Sequence, residues 1–171
     1  MNGESFSSDA IGVWKLDPAA TTVTLQTKSM WGLVTVKAIF KAIEGGATIG
    51  ADGSVSGTFL TDAGSVHTGI KMRDAHLRGT DFLDVKTYPT FSYVATSAIA
   101  QSDNVKVIGK LTVHGEERPF ELVGRLDQVS PERMMVSTEF VIDRSHFGVA
   151  CKKKGASLVN RLSVSAQFDR A

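Results

Sequence analysis

Four histidines (His67, His76, His114 and His146) and the single cysteine, Cys151, are the residues of this sequence best suited to bind a metal or move a proton. None of the histidines stands in a paired-ligand spacing such as His-Glu-x-x-His, and the thiol has no second soft ligand beside it. Asp74 and His76 are two residues apart, which on a helix puts them on different faces. There is no Gly-x-Ser-x-Gly elbow, Cys151 lies in a lysine-rich stretch without an orienting base, and Gly45-Gly46 lacks the Lys-Ser/Thr of a phosphate loop. Asp81 and Asp84 could be proposed as paired carboxylates, but loop acids are ordinarily solvated. The charge pairs Arg73-Asp74 and Asp143-Arg144 read better as charge-assisted ties between an insertion and a sheet than as catalytic groups. No catalytic residue and no metal site is expected.

The elements that would position any site are strands. Thr22 to Lys28 alternates Val23 and Leu25 against Thr24 and Gln26, and Val34, Val36, Ala38 and Phe40 share one face. The same period-two pattern returns around Val55 to Phe59, Phe91 to Thr96, Val105 to Val113, Phe120 to Asp127, Met134 to Asp143 and Leu158 to Phe168. That makes about eight strands, each with one apolar and one polar face, the signature of antiparallel sheet wetted on one side. Pro89 and Pro119 stand at strand starts, and His114-Gly115-Glu116-Glu117 reads as a hairpin turn. A sandwich or a closed barrel satisfies the pattern equally. The alternation fails from Ile70 to Val85, where Ile70, Asp74 or Ala75, and Leu77 fall near helical spacing and Gly79 is a stop; a short helical insertion is expected there.

Composition narrows the class. The chain has 171 residues, enough for one domain with a real core, and residues 1–11 read as a loose N-terminal segment. Nineteen Lys and Arg face eighteen Asp and Glu, a balance that makes no general case for nucleic acid or an anionic membrane, and Lys152-Lys153-Lys154 reads as a solvated loop. No stretch approaches the ~20 apolar residues of a spanning helix. A lone thiol and a polar N-terminus without a signal-like run give a cytoplasmic expectation. The nine phenylalanines, mostly on apolar strand faces, are the better clue. They make either a solid core or the wall of a barrel that holds one ligand.

Five ordered motifs then carry a resemblance. Trp14-Lys15-Leu16-Asp17-Pro18 opens the chain, and Trp31-Gly32-Leu33-Val34 leads into Ala38-Ile39-Phe40. Arg73-Asp74-Ala75-His76-Leu77-Arg78 runs on through Asp81-Phe82-Leu83-Asp84-Val85 to Tyr88-Pro89; Gly109 to Gly115 and Asp143-Arg144-Ser145-His146-Phe147-Gly148 follow. Over about residues 12–168 the sequence resembles the YceI-like family of lipocalin-like polyisoprenoid-binding proteins. The resemblance implies an all-β, eight-stranded antiparallel lipocalin-like barrel with the helical insertion around residues 70–85 near one end. It also implies a non-catalytic protein that takes a polyisoprenoid, an isoprenoid quinone or a related lipid into its lumen, with no cofactor beyond that lipid.

The residues expected to contact the ligand are Trp31, Phe40, Phe59, Met72, Leu77, Phe82, Phe91, Tyr93, Leu111, Phe120, Phe140, Ile142 and Phe147, drawn from the apolar strand faces, the insertion and the motifs. Arg73 and Asp74 are expected to pin the insertion. Small residues on the apolar faces (Gly57, Ala95, Gly109 and Gly124) favour an open lumen over the alternative, a filled barrel acting as a structural or interaction protein. Tyr93 is the one ionisable group among the inward strand positions, so binding is expected to ignore pH and salt. A monomer or homodimer without nucleic acid or stable membrane insertion completes the expectation.

Overall fold

The computed structural model describes residues 5–171, and its sheet is built of nine antiparallel strands. They are β1 (Gly12–Leu16), β2 (Thr22–Ser29), β3 (Val34–Ile49), β4 (Val55–His67), β5 (Thr90–Gln101), β6 (Asn104–Val113), β7 (Glu116–Ser130), β8 (Arg133–Asp143) and β9 (Val159–Arg170). One helix, α1 (Lys71–Arg78), interrupts the series between β4 and β5. Every sequential neighbour from β2 to β9 pairs, β9 pairs back to β1 and β2, and β3 bridges to both β1 and β4. The sheet therefore closes and leaves no free edge.

Nine strands make an eight-stave barrel because β1 and β2 occupy the same position end to end. β1 lies between Gly46–Ile49 of β3 and Phe168–Arg170 of β9; β2 lies between Val34–Phe40 and Asn160–Ser165 of the same two strands. The stave breaks at Asp17-Pro18, where proline has no N–H for the ladder and the Asp17 carboxylate accepts from the Ala19 N–H at 3.0 Å. The long strands bend through register shifts at Ile39/Lys41 and Ala42/Glu44 in β3–β4 and at Ala95/Ser97 in β5–β6. Each extra residue sharpens the local twist and lets a strand follow the wall. Between β6 and β7 the turn is two residues, His114 (φ 53°) and Gly115 (φ 73°), both left-handed as a tight hairpin requires.

The faces follow the alternation. On β3, Val36, Ala38, Phe40 and Ala42 are buried inside while Thr35, Lys37, Ile39 and Lys41 face water. In the insertion, the helical spacing yields α1 over Lys71–Arg78, closed at Gly79, and Thr80 to Thr87 follows as turns. Arg73 and Asp74 do pin it, though not by pairing with each other. Both reach Thr68: the Asp74 carboxylate accepts from its N–H at 2.9 Å and from its hydroxyl, and Arg73 Nε donates to that hydroxyl at 2.9 Å. Burial raises the Asp74 pKa, but the Thr68 hydrogen bonds together with His67 and Arg78 leave it below the usual carboxylate value.

The expected loose segment over residues 1–11 is corrected where it is described. Ser8–Ala10 forms a 3-10 turn, Ala10 is buried, and Phe6 packs on the same cluster. Arg170 straps this segment down, donating to the carbonyls of Ile11 (2.9 Å) and Asp9 (2.6 Å). Its polar composition hid this because the ties are made by backbone carbonyls.

Candidate ligand cavity

The lumen is not filled. A cavity of about 720 Å³ runs inside the barrel, within the ~300–1,000 Å³ typical of small-molecule sites. Along β9 its wall extends from Asn160 to Phe168, roughly 26 Å of strand at the usual rise per residue. Eleven of the expected contacts line it: Phe40, Phe59, Phe91, Tyr93, Leu111, Phe120, Phe140 and Ile142 from the strands, and Met72, Leu77 and Phe82 from the insertion. Phe40 meets Phe91 edge-on at 5.3 Å, and Phe120 meets Phe140 likewise, so the rings lie against the wall in favourable pairs.

Two expected contacts are placed elsewhere. Trp31 is 79% exposed on a tight turn outside the barrel, because Met30 and Trp31 both adopt left-handed backbone and swing the ring outward. Phe147 is buried among Val113 and Ile142 behind the wall, in the 3-10 turn that follows β8. Residues absent from the expected set also line the cavity, among them Leu25, Val66, Val107, Leu162 and Val164. Each lies on a strand of the wall, and alternation alone does not say which inward side chains border open space.

The small residues sort by role. Gly46, Gly57 and Ala95 lie on the wall and widen it. Gly109 does not: a Cβ there would be 2.2 Å from the Val94 carbonyl oxygen and 2.9 Å from the Tyr93 ring. Its missing side chain lets Tyr93 lie across β6 and donate its hydroxyl to the Phe120 carbonyl at 2.7 Å. Burial, followed by the nearby Glu121 charge, pushes the Tyr93 pKa up to about 12. Among the described residues no fully buried side-chain nitrogen or oxygen lacks a hydrogen-bond partner, and the surface facing the cavity is predominantly apolar.

The two ends of the cavity differ. One is stopped by Trp14, Leu16, Ile49, Met134 and Phe168, a cluster in which Trp14 is only 1% exposed. The other is the mouth, framed by the end of β2, α1 with the turns after it, and the 149–157 loop. Arg144 holds that loop. Its guanidinium, 8% exposed, donates to the carbonyls of Val149 (2.7 Å), Cys151 (2.5 Å) and Ser157 (3.0 Å) and lies 5.5 Å from the Phe82 ring centroid. Desolvation lowers its pKa below the ordinary guanidinium value. Asp81 accepts a hydrogen bond from Lys153 and lies 3.7 Å from His76 Nε2, joining the insertion to the loop across the mouth. The Lys153 hydrogen bond and charge hold the Asp81 carboxyl below its usual pKa.

These ties account for most of the groups that could have done chemistry. Asp74 serves Thr68, Asp81 serves Lys153, Arg144 serves the loop carbonyls, and Asp143 accepts from the Ser145 N–H at 2.9 Å. Among the described residues no three His, Cys, Asp or Glu side chains gather in metal-binding geometry. Lys28, Arg73, His76, Lys153 and Lys154 reach the cavity mouth, so its surroundings are ionisable, whereas deeper along the strand wall the ionisable group is Tyr93.

The profile of the YceI-like domain matches residues 14–169, from the plugging tryptophan to the last strand. The chain belongs to the YceI-like family. Protein YceI of Escherichia coli O17:K52:H18 is 37% identical over 62 residues, which is 36% of this chain and 32% of that protein. This chain thus aligns with about a third of that relative's length. Two solved structures share the fold at low identity. Burkholderia cenocepacia BcnA superposes with a TM-score of 0.77 at 22% identity, covering 89% of this chain and 98% of BcnA. A Saccharophagus degradans domain, described as polyisoprenoid-binding and implicated in plant cell wall breakdown, gives 0.78 at 16% identity, covering 92% and 98%.

Proposed function

We propose that this YceI-like barrel takes one long apolar molecule, a polyisoprenoid or isoprenoid quinone, into its lumen through the open end and holds it for carriage, storage or sequestration, with no bond made or broken. The observation that carries this reading is the blind-ended, predominantly apolar cavity of about 720 Å³. Such a wall rewards partition of hydrocarbon and offers nothing to orient a reacting group. An isoprenoid of about 40 carbons, at ~0.3 kcal/mol per heavy atom, would gain on the order of 12 kcal/mol, which is nanomolar affinity. The polyisoprenoid-binding description of the Saccharophagus domain supports the same class of ligand.

The test is native mass spectrometry of the protein purified from cells, alongside Ala95→Trp. Ala95 lies on the wall, so an indole there occupies the path of the chain, at a stability cost of about 1–3 kcal/mol for overpacking. The wild type should retain a long-chain lipid and take up a fluorescent polyprenol, and the folded variant should do neither. A wild type that carries no lipid and takes up no polyprenol would end this reading.

A further inference from the structure

The mouth is surrounded by large apolar side chains that water reaches. Leu33 is 86% exposed and Met72 84%, with Trp31, Ile70 and Met30 beside them. Met30, Ile70 and Met72 are also the outermost residues of the cavity wall. Among the described residues, every large apolar side chain this exposed elsewhere is a valine or isoleucine within a strand, where β-propensity explains it. The exposed tryptophan, leucine and methionines are confined to this one end.

The tryptophan is held there by its surroundings. Met30 and Trp31 have φ of 52° and 55°, and the Leu33 N–H closes the turn on the Met30 carbonyl at 3.2 Å. The turn packs on Lys153–Gly155, where a Cβ on Gly155 would come within 2.6 Å of the Trp31 nitrogen and 2.7 Å of its ring. Glycine is therefore required at 155 to seat the indole, and the contact puts Trp31 beside Lys154.

Charge gathers at the same end. Residues 28–34, 69–85 and 144–158 carry eight Lys and Arg against three Asp and Glu, while the rest of the chain carries eleven against fifteen. The near-neutral whole hides a basic mouth on an acidic barrel. Arg144 and Lys153 are engaged, by loop carbonyls and by Asp81. Lys71, Lys152 and Lys154 lie exposed on the segments that frame the mouth.

We infer that this end of the barrel docks reversibly, mouth down, on an anionic lipid bilayer. Trp31, Leu33 and Met72 enter the interfacial layer, the lysines meet lipid phosphates, and the cavity opens onto the hydrocarbon from which its ligand comes. Amphipathic indole, aliphatic side chains and lysine on a single face are what such a surface selects. A protein partner seated on the same rim would cover the opening, whereas a bilayer leaves it facing lipid. No described helix is long and apolar enough to cross a membrane, and the contact inferred is made by the rim alone. This docking rests on the lipid cargo proposed above for its purpose, but the rim can be tested without that cargo.

The experiment is co-sedimentation with vesicles of phosphatidylcholine alone or mixed equally with phosphatidylglycerol. Four proteins are compared: the wild type, Trp31→Ser/Leu33→Ser, Lys71→Glu/Lys152→Glu, and Ala95→Trp. None of the four rim positions lines the cavity. The wild type should bind the mixed vesicles and release in high salt. Each rim variant should bind at least about tenfold more weakly, while taking up polyprenol from solution as the wild type does. Trp31 emission should shift to the blue on the mixed vesicles, a clear signal because the other tryptophan, Trp14, is already buried. Ala95→Trp should dock normally while empty, so failure of the cargo reading and failure of docking are separable. Equal binding to both vesicle types, rim variants that bind like the wild type, or a stable dimer that covers Trp31 without lipid would each overturn the inference.

Discussion

The two ends of this barrel are each secured by an arginine that donates to backbone carbonyls, and they come out as opposites. At the stopped end Arg170 reaches Asp9, Ile11 and Pro131 and lies 4.4 Å over the Trp14 ring centroid. At the mouth Arg144 reaches Val149, Cys151 and Ser157 and lies over Phe82. What differs is the material behind each strap. Behind Arg170 a buried tryptophan, its Nε1 donating to the Ala10 carbonyl at 2.8 Å, fills the cross-section with Leu16, Ile49 and Met134. Behind Arg144 there is a loop and a half-buried helical insertion, and the lumen continues outward between them. Stability is concentrated at the plug and access at the mouth, in keeping with binding segments being drawn from the less stable parts of a fold.

The comparison breaks most readily at the plug. Trp14→Ala should cost about 3–5 kcal/mol, through the lost ring and the cavity it leaves, read as a lower denaturant midpoint. Were the plug dispensable, the midpoint would barely move. At the mouth, Arg144→Met should cost less, about 2–3 kcal/mol, since several charge-assisted bonds are lost but Cys151 and Ser157, two of the residues whose carbonyls are freed, are only half-buried. Hydrogen exchange should accelerate in residues 149–157 and leave residues 8–16 unchanged. Exchange that rises equally at both ends would show that they are not independent. The smallest effect belongs to the wall between them. Tyr93→Phe should cost about 1 kcal/mol for the lost bond to the Phe120 carbonyl. Tyr93 is an acid whose folded pKa is raised, so its contribution is full below about pH 10 and fades as pH rises toward about 12. Alkaline titration should therefore destabilise the wild type more than the variant over that window.

Much of this architecture was legible in the alternation. Period-two patterning placed Phe40, Phe91 and Phe140 on the inner face because side chains on a strand must alternate, and its failure at Ile70 marked α1. Trp14's stave was harder to see, because β1 is only five residues long and is separated from β2 by Asp17-Pro18. Alternation states which way a side chain points but not how much space the closed sheet encloses. That the lumen is open rather than filled, and that Ala95 widens it while Gly109 lies under Tyr93, depended on the bulges and on which strands became neighbours. The basic mouth was invisible for the same reason. Lys28, Lys71 and Lys152 are scattered in a chain of balanced charge, and closure of the sheet brings their segments around one opening. Local periodicity, fixed by covalent geometry, determined the faces. The long-range pairing of the strands decided the volume between them and the charge at its edge.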